Sequence, residues 1–358
     1  MSKHLTLSSF QPGPSITRRD FLQLAAAAPY VPGAEGWDSG FAGDQTALDA
    51  AVEWAMPRGT TSVIVLHRGR IAAERHAGSA DPAQPEAVYS ITKSVTATLI
   101  GAALDDGSIS SLEIPMKEYF PSWGNDRRRD VQLRHVLSMT SGILAARGFT
   151  IPKGVDQADY TAVLPSVYPA GERWVYDNNV YRLLFRVLEE STGDPLPRYA
   201  QRKLFGPLQM SDTSWQRRQG ASRPNYQNIR TTARDLARFG LLALRRGLWE
   251  DRQIVSQEFW GRALSTSQDL NPSYGLLWWA NGGSSFTLPG GAHVEGPLWP
   301  EVPADAFGAL GASGRRVWVV PSRELVVARL ARRPTDRQFA GAWSFDNQLL
   351  RRVCAACG

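Results

Sequence analysis

Two β-hairpin signatures stand at opposite ends of the chain, and they constrain its fold more than any other feature. Near the front, Ser62-Val63-Ile64-Val65-Leu66-His67 is a β-branched, apolar run that meets Arg68-Gly69 and resumes from Arg70 to His76. Near the end, Arg316-Val317-Trp318-Val319-Val320 and the run from Glu324 to Leu330 flank Pro321-Ser322-Arg323. Runs of this composition around a tight turn predict paired strands. Between them the pattern is helical, with patches at 90–104, 133–139, 180–190 and 233–245. Further helices are predicted at 46–56 and 340–353. The expected fold class is α+β: one antiparallel sheet built from both chain ends, with an inserted, mostly helical region. A cleft where sheet meets insert is the default place for a site.

Composition removes several alternatives. The chain has 358 residues, 43% hydrophobic and 21% charged, which is ordinary globular usage. No apolar run reaches the ~18–20 residues of a membrane span, so no integral membrane span is expected. The formal charge of +6 is scattered apart from Arg127, Arg128 and Arg129, which argues against a nucleic-acid partner. Cys354 and Cys357 are the only cysteines, too few for a disulfide framework or, alone, for a zinc site. They are expected in a frayed C-terminal tail, with mutual pairing as the alternative. The histidines lack metal-ligand spacing, and neither metal nor organic cofactor is expected. His293, in a Gly-rich loop, is assigned to the surface. No G-x-S-x-G elbow occurs, which disfavours an α/β-hydrolase.

Thr17-Arg18-Arg19-Asp20-Phe21-Leu22, followed by Leu24 and four alanines, resembles a twin-arginine export signal. Residues 1–34 are therefore read as an export segment. The twin-arginine translocation machinery is the implied partner, and the periplasm or exterior the implied location. The hydrolase domain is read over 46–353.

Lysine is scarce: Lys3, Lys93, Lys117, Lys153 and Lys203 are all there are among 40 basic residues. Arginine keeps its charge, whereas a desolvated lysine can serve as a base. Lys93 closes Ser90-Ile91-Thr92-Lys93 at the start of the longest helical pattern. Positions i and i+3 share a helix face, so hydroxyl and amine can be neighbours. Serine becomes a useful nucleophile when a base takes its proton, and burial makes lysine such a base. Taken alone, Ser-x-x-Lys is more often a helix cap beside a solvated lysine.

Position and company decide between these. Tyr89 to Thr96, placed soon after an N-terminal hairpin, resembles the nucleophile segment of the penicillin-recognising serine hydrolases: class C β-lactamases, DD-peptidases and related esterases. Leu133-Arg134-His135-Val136-Leu137-Ser138-Met139-Thr140-Ser141-Gly142 is similar to that family's helix-to-loop segment. Trp174-Val175-Tyr176-Asp177-Asn178-Asn179-Val180-Tyr181 resembles its Tyr-x-Asn element. Thr232 to Gly240 and Tyr274 to Trp279 resemble two more segments. The resemblance implies a β-lactamase/transpeptidase-like fold, Ser90 as nucleophile and Lys93 as its base partner. It also implies Tyr176 as shared base and acid, with its phenol pKa lowered by Lys93, and Asn178 orienting substrate and Lys93. Asp177 stands where the family has a small residue; it is expected to point away while its charge perturbs Lys93.

The third family element, Lys-Thr-Gly or His-x-Gly, is replaced by Ala306-Phe307-Gly308-Ala309-Leu310-Gly311-Ala312-Ser313-Gly314, which carries no cation. A backbone N–H of Ala309 or Leu310 is expected to join that of Ser90 around an oxyanion. Without the cation a β-lactam or peptide carboxylate loses its partner, which favours a small ester or amide substrate. Gly311-x-x-Gly314 is most similar to the 6-aminohexanoate-dimer hydrolase/esterase branch. Trp174, Trp278 and Trp279 either line an apolar cleft or belong to the core. The expected function is a serine hydrolase acting through an acyl-enzyme. The same-class alternative is a β-lactamase or DD-peptidase. A non-catalytic binding module of the same fold predicts loss of Ser90, Lys93 or Tyr176, and all three are present.

Overall fold

The computed structural model describes residues 40–78, 80–145, 154–218, 225–332 and 339–358; the export segment at 1–34 lies outside the described residues. Helix α1 (Gln45–Ala55) precedes strands β1 (Thr60–His67) and β2 (Arg70–His76). They turn at Arg68-Gly69, where φ is 53° and 75°. A two-residue hairpin that follows the natural strand twist needs this left-handed pair. The C-terminal hairpin consists of β5 (Arg315–Val320) and β6 (Leu325–Ala331), and β6 pairs antiparallel with β1, Val65 opposite Val327. Strand β4 (Phe307–Gly311) and the short β3 (Trp279–Ala280) complete a six-stranded sheet in the order β2-β1-β6-β5-β4-β3. The sheet is built from both chain ends, as expected.

Alternation along β5 and β6 sends neighbouring side chains to opposite faces. On one face α3 (Ala233–Leu244) comes so close that a Cβ at Gly240 would stand 2.5 Å from Val326 and 2.8 Å from Val317. On the other lie α1 and α4 (Phe339–Ala356), with Trp54 stacked on Phe345 at 5.2 Å. This second face carries Arg316, paired with Asp346 at 2.8 Å, and the fully buried Arg329. Arg329 donates to Thr60 Oγ1 and to the carbonyls of Gly314 and Arg58, and lies 4.3 Å over the Phe345 ring. A buried guanidinium is tolerated when its donors are met in this way.

The C-terminus differs from expectation. α4 runs through Ala356, and the Asp44 N–H donates to the Ala356 carbonyl. Cys354 and Cys357 are buried free thiols rather than parts of a frayed tail, because the last turn packs its apolar side inward. Burial pushes Cys354 up to about 12 and Cys357 up to about 11.

The inserted middle is helical in patches, including Leu133–Leu137 and Leu183–Thr192. It also holds a three-stranded sheet of Glu86–Ala87, Asn225–Thr231 and Ser214–Arg218, and a hairpin of Ser285–Thr287 with His293–Glu295. His293 is exposed on that hairpin. Among the described residues no helix is long and apolar enough to cross a membrane.

Candidate active site

Ser90 sits at the last step of a turn that feeds α2 (Ile91–Asp105). Tyr89 holds the left-handed region at φ 49°, an uncommon state for a non-glycine residue. Strand Asn225–Thr231 grips the turn from both sides. The Val88 N–H donates to the Ile229 carbonyl at 3.0 Å, and the Ile229 N–H donates to Thr92 Oγ1 at 3.0 Å. Ser90 Oγ makes no capping bond to the helix. It faces the amine one turn on: Lys93 Nζ lies 3.0 Å from Ser90 Oγ and donates to Asn178 Oδ1 at 2.8 Å. The Tyr176 hydroxyl is hydrogen-bonded to Ser90 as well. Ser90, Lys93, Tyr176 and Asn178 are therefore brought together.

Lys93 is 2% exposed. Burial holds its amine well below the ordinary lysine range; the Arg182 guanidinium pushes the same way and the Asp177 carboxylate opposes them. Tyr176 departs from expectation. Burial raises its phenol above the ordinary tyrosine value, and the bond to Ser90 offsets this only in part. The same burial that disfavours the charged amine of Lys93 disfavours the charged phenolate of Tyr176. The two shifts run in opposite directions, the amine down and the phenol up.

Asp177 turns its carboxylate to the backbone that follows it: its Oδ1 accepts the N–H groups of Asn179 and Val180, at the start of the short helix Val180–Arg182. The helix-to-loop segment Leu133–Gly142 holds this loop in place. Met139 receives the Val175 N–H on its carbonyl at 2.9 Å and the Asp177 N–H on its sulfur at 3.4 Å. Around Tyr176, Trp279 stacks at 6.2 Å, Tyr274 meets it edge-on at 6.3 Å and Trp174 is tilted at 6.2 Å. Trp174 and Trp279 thus brace the phenol, whereas Trp278 turns into the core against Phe239, Trp260 and Phe307.

Strand β4 borders this group. The Asn281 N–H donates to the Ala306 carbonyl, and Gly308 pairs with Trp279. Alternation of an antiparallel ladder then points the Leu310 N–H to the edge that β3 no longer covers. Ala309, opposite Val317, is turned into the β5 ladder and is corrected as a donor toward the site. Gly311, the residue after Leu310, abuts the turn of Ser90: a Cβ there would stand 2.3 Å from the Val88 carbonyl oxygen. Sequence reasoning did not single out Tyr181 or Tyr274, although both close segments that it quoted or lie within them.

Comparison with known proteins places these residues in context. Residues 48–350 match the family described as beta-lactamase. An uncharacterized protein of Alkalihalophilus pseudofirmus is 25% identical over 75% of this chain and 82% of its own length. The 6-aminohexanoate-dimer hydrolase of Paenarthrobacter ureafaciens is 23% identical over 77% of this chain and 73% of its own. Among solved structures, a penicillin-binding protein homolog from Caulobacter crescentus superposes with a TM-score of 0.67 at 16% identity, covering 89% of this chain and 99% of that one.

Proposed function

The chain belongs to the beta-lactamase family, typically serine hydrolases, and from that premise we propose that it cleaves a small ester or amide through an acyl-enzyme on Ser90. The observation that carries this reading is the 3.0 Å approach of Ser90 Oγ to the buried amine of Lys93. As Ser90 Oγ attacks the carbonyl carbon, Lys93 Nζ takes the hydroxyl proton. The N–H groups of Ser90 and of the open β4 edge at Leu310 stabilise the oxyanion. The Tyr176 hydroxyl, bonded to Ser90, relays a proton to the departing alcohol or amine while Lys93 resupplies it. Water then attacks the acyl carbon, its proton passes to Lys93 through Tyr176, and Ser90 leaves with a proton restored. Asn178 fixes the amine and the substrate side of the cleft.

A β-lactam or peptide substrate fits the family match equally; what favours a neutral ester or amide is the run Ala306–Gly314, which offers no side-chain cation for a carboxylate. The reading includes export by the twin-arginine machinery, supported by Thr17-Arg18-Arg19-Asp20-Phe21-Leu22. The test is hydrolysis of a short-chain p-nitrophenyl ester by the purified chain and its Ser90→Ala variant, with intact-mass detection of the acyl adduct. Turnover and adduct that vanish together in Ser90→Ala are expected. Turnover or adduct that persists in the variant overturns the assignment.

A further inference from the structure

The amine of Lys93 does not face Tyr176 alone. Its Nζ lies 4.7 Å from the centroid of the Tyr176 ring and 4.3 Å from that of Tyr181, so it is held between two aromatic faces. Its remaining contacts are polar and few: Ser90 Oγ at 3.0 Å and Asn178 Oδ1 at 2.8 Å. Tyr181 is itself 2% exposed and fixed, packed edge-on against Phe185 at 5.5 Å, in the short helix that follows Asp177. A side chain so placed cannot reach substrate past the amine.

We propose that Tyr181 is a positioning residue for the Ser90–Lys93 pair: its ring is the second wall of an aromatic cage that favours the ammonium form of Lys93 once the serine proton arrives. This rests on the reading of Ser90 as nucleophile and deepens it. The physical argument is differential. A neutral amine gains little from a ring quadrupole, whereas an ammonium in a water-free site gains the full cation–π attraction, which is strongest where the cation is desolvated. An interaction that strengthens as the proton transfers acts on the transition state more than on the resting enzyme. Burial disfavours the charged amine, and the two ring faces offset part of that penalty without adding a counter-ion. The charged groups that act on the amine are Arg182 and Asp177, both on the Tyr176–Arg182 segment; the polar atoms bonded to it are Ser90 Oγ and Asn178 Oδ1, and the rings of Tyr176 and Tyr181 face it.

The scarcity of lysine makes a direct test practical. With five lysines in the chain, ¹³Cε-lysine labelling gives five signals, and Lys93 is assigned by its loss in Lys93→Arg. The titration midpoint of Lys93 is then followed in the parent, Tyr181→Phe and Tyr181→Leu, beside ester turnover. Removing the ring is expected to lower the midpoint by about one pH unit, the size of a buried cation–π contact. Plateau kcat should fall about tenfold with KM little changed, and Tyr181→Phe should keep both values. Tyr181→Met serves if Tyr181→Leu does not fold. An unchanged or raised midpoint without the ring, or an equal shift in Tyr181→Phe, overturns the cage. The midpoint needs no turnover, so the cage can fail while Ser90-dependent hydrolysis stands. Ester turnover that survives in Ser90→Ala removes the parent reading on separate grounds.

Discussion

Gly311 of β4 lies against the carbonyl of Val88, where a Cβ would stand 2.3 Å from the oxygen and 3.3 Å from Ile91. Here the sheet edge meets the turn that carries Ser90. At its nearest point this approach is backbone meeting backbone, the Val88 carbonyl oxygen against the α-carbon of Gly311.

Gly311→Ala is therefore expected to part the strand edge from the turn. Overpacking of this kind typically costs about 1–3 kcal/mol. Ester turnover should fall by more than tenfold, since donors aimed at a developing oxyanion tolerate little displacement. Denaturant unfolding and turnover of the variant check this; parent-like values in both would show that the edge has room to move.

Lys93 carries a stability cost that its chemistry requires. Its folded-state pKa lies well below the ordinary lysine value, so between the two values the unfolded chain binds the proton that the native chain lacks. Stability then rises with pH across that window. Lys93→Met should abolish turnover yet unfold at higher denaturant than the parent near neutrality, by on the order of 1–2 kcal/mol. The advantage should shrink as pH climbs toward the ordinary lysine range. Thermal or urea midpoints of both proteins from pH 6 to pH 10 measure it; a variant less stable than the parent throughout contradicts the sign.

Asp177 and Arg182 act on the same amine with opposite sign. Asp177→Asn keeps an oxygen for the Asn179 and Val180 N–H groups while removing the charge. The acid limb of kcat/KM should move to lower pH, because less acid is needed to protonate an amine that a carboxylate supports. Arg182→Gln should move the limb to higher pH. The two pH–rate profiles, recorded on one ester, decide the matter: limbs that move together, or stay in place, remove both residues from the control of Lys93.

Local pattern was enough for the frame. The β-branched runs at 62–76 and 316–330 and the helical run after Ser90 are legible because strand and helix periods are properties of short stretches. Ser-x-x-Lys is legible for the same reason, since residues one helical turn apart meet whatever surrounds them. The motif near Leu133 was visible as a resemblance, but its work, receiving the Val175 and Asp177 N–H groups on Met139, emerges only from the packed chain. The small sheet that grips Val88 and Thr92 was missed, because Asn225–Thr231 has few of the apolar alternations that mark a strand.

By itself, then, the sequence determined which residues are neighbours along one helix or one hairpin, and with them the pairing of Ser90 with Lys93. Tertiary structure decided the burial that lowers the amine of Lys93. Lys93 meets Asn178 across 85 positions of sequence, and Tyr176 and Tyr181 close over it from the same distant loop. Packing of these remote segments buries both groups, and burial lowers the amine of Lys93 while it raises the phenol of Tyr176. The direction of the Leu310 N–H and the burial of Cys354 and Cys357 were decided in the same way. Spacing sets adjacency over a few residues; desolvation and the facing of an amide depend on which remote segments arrive to cover them.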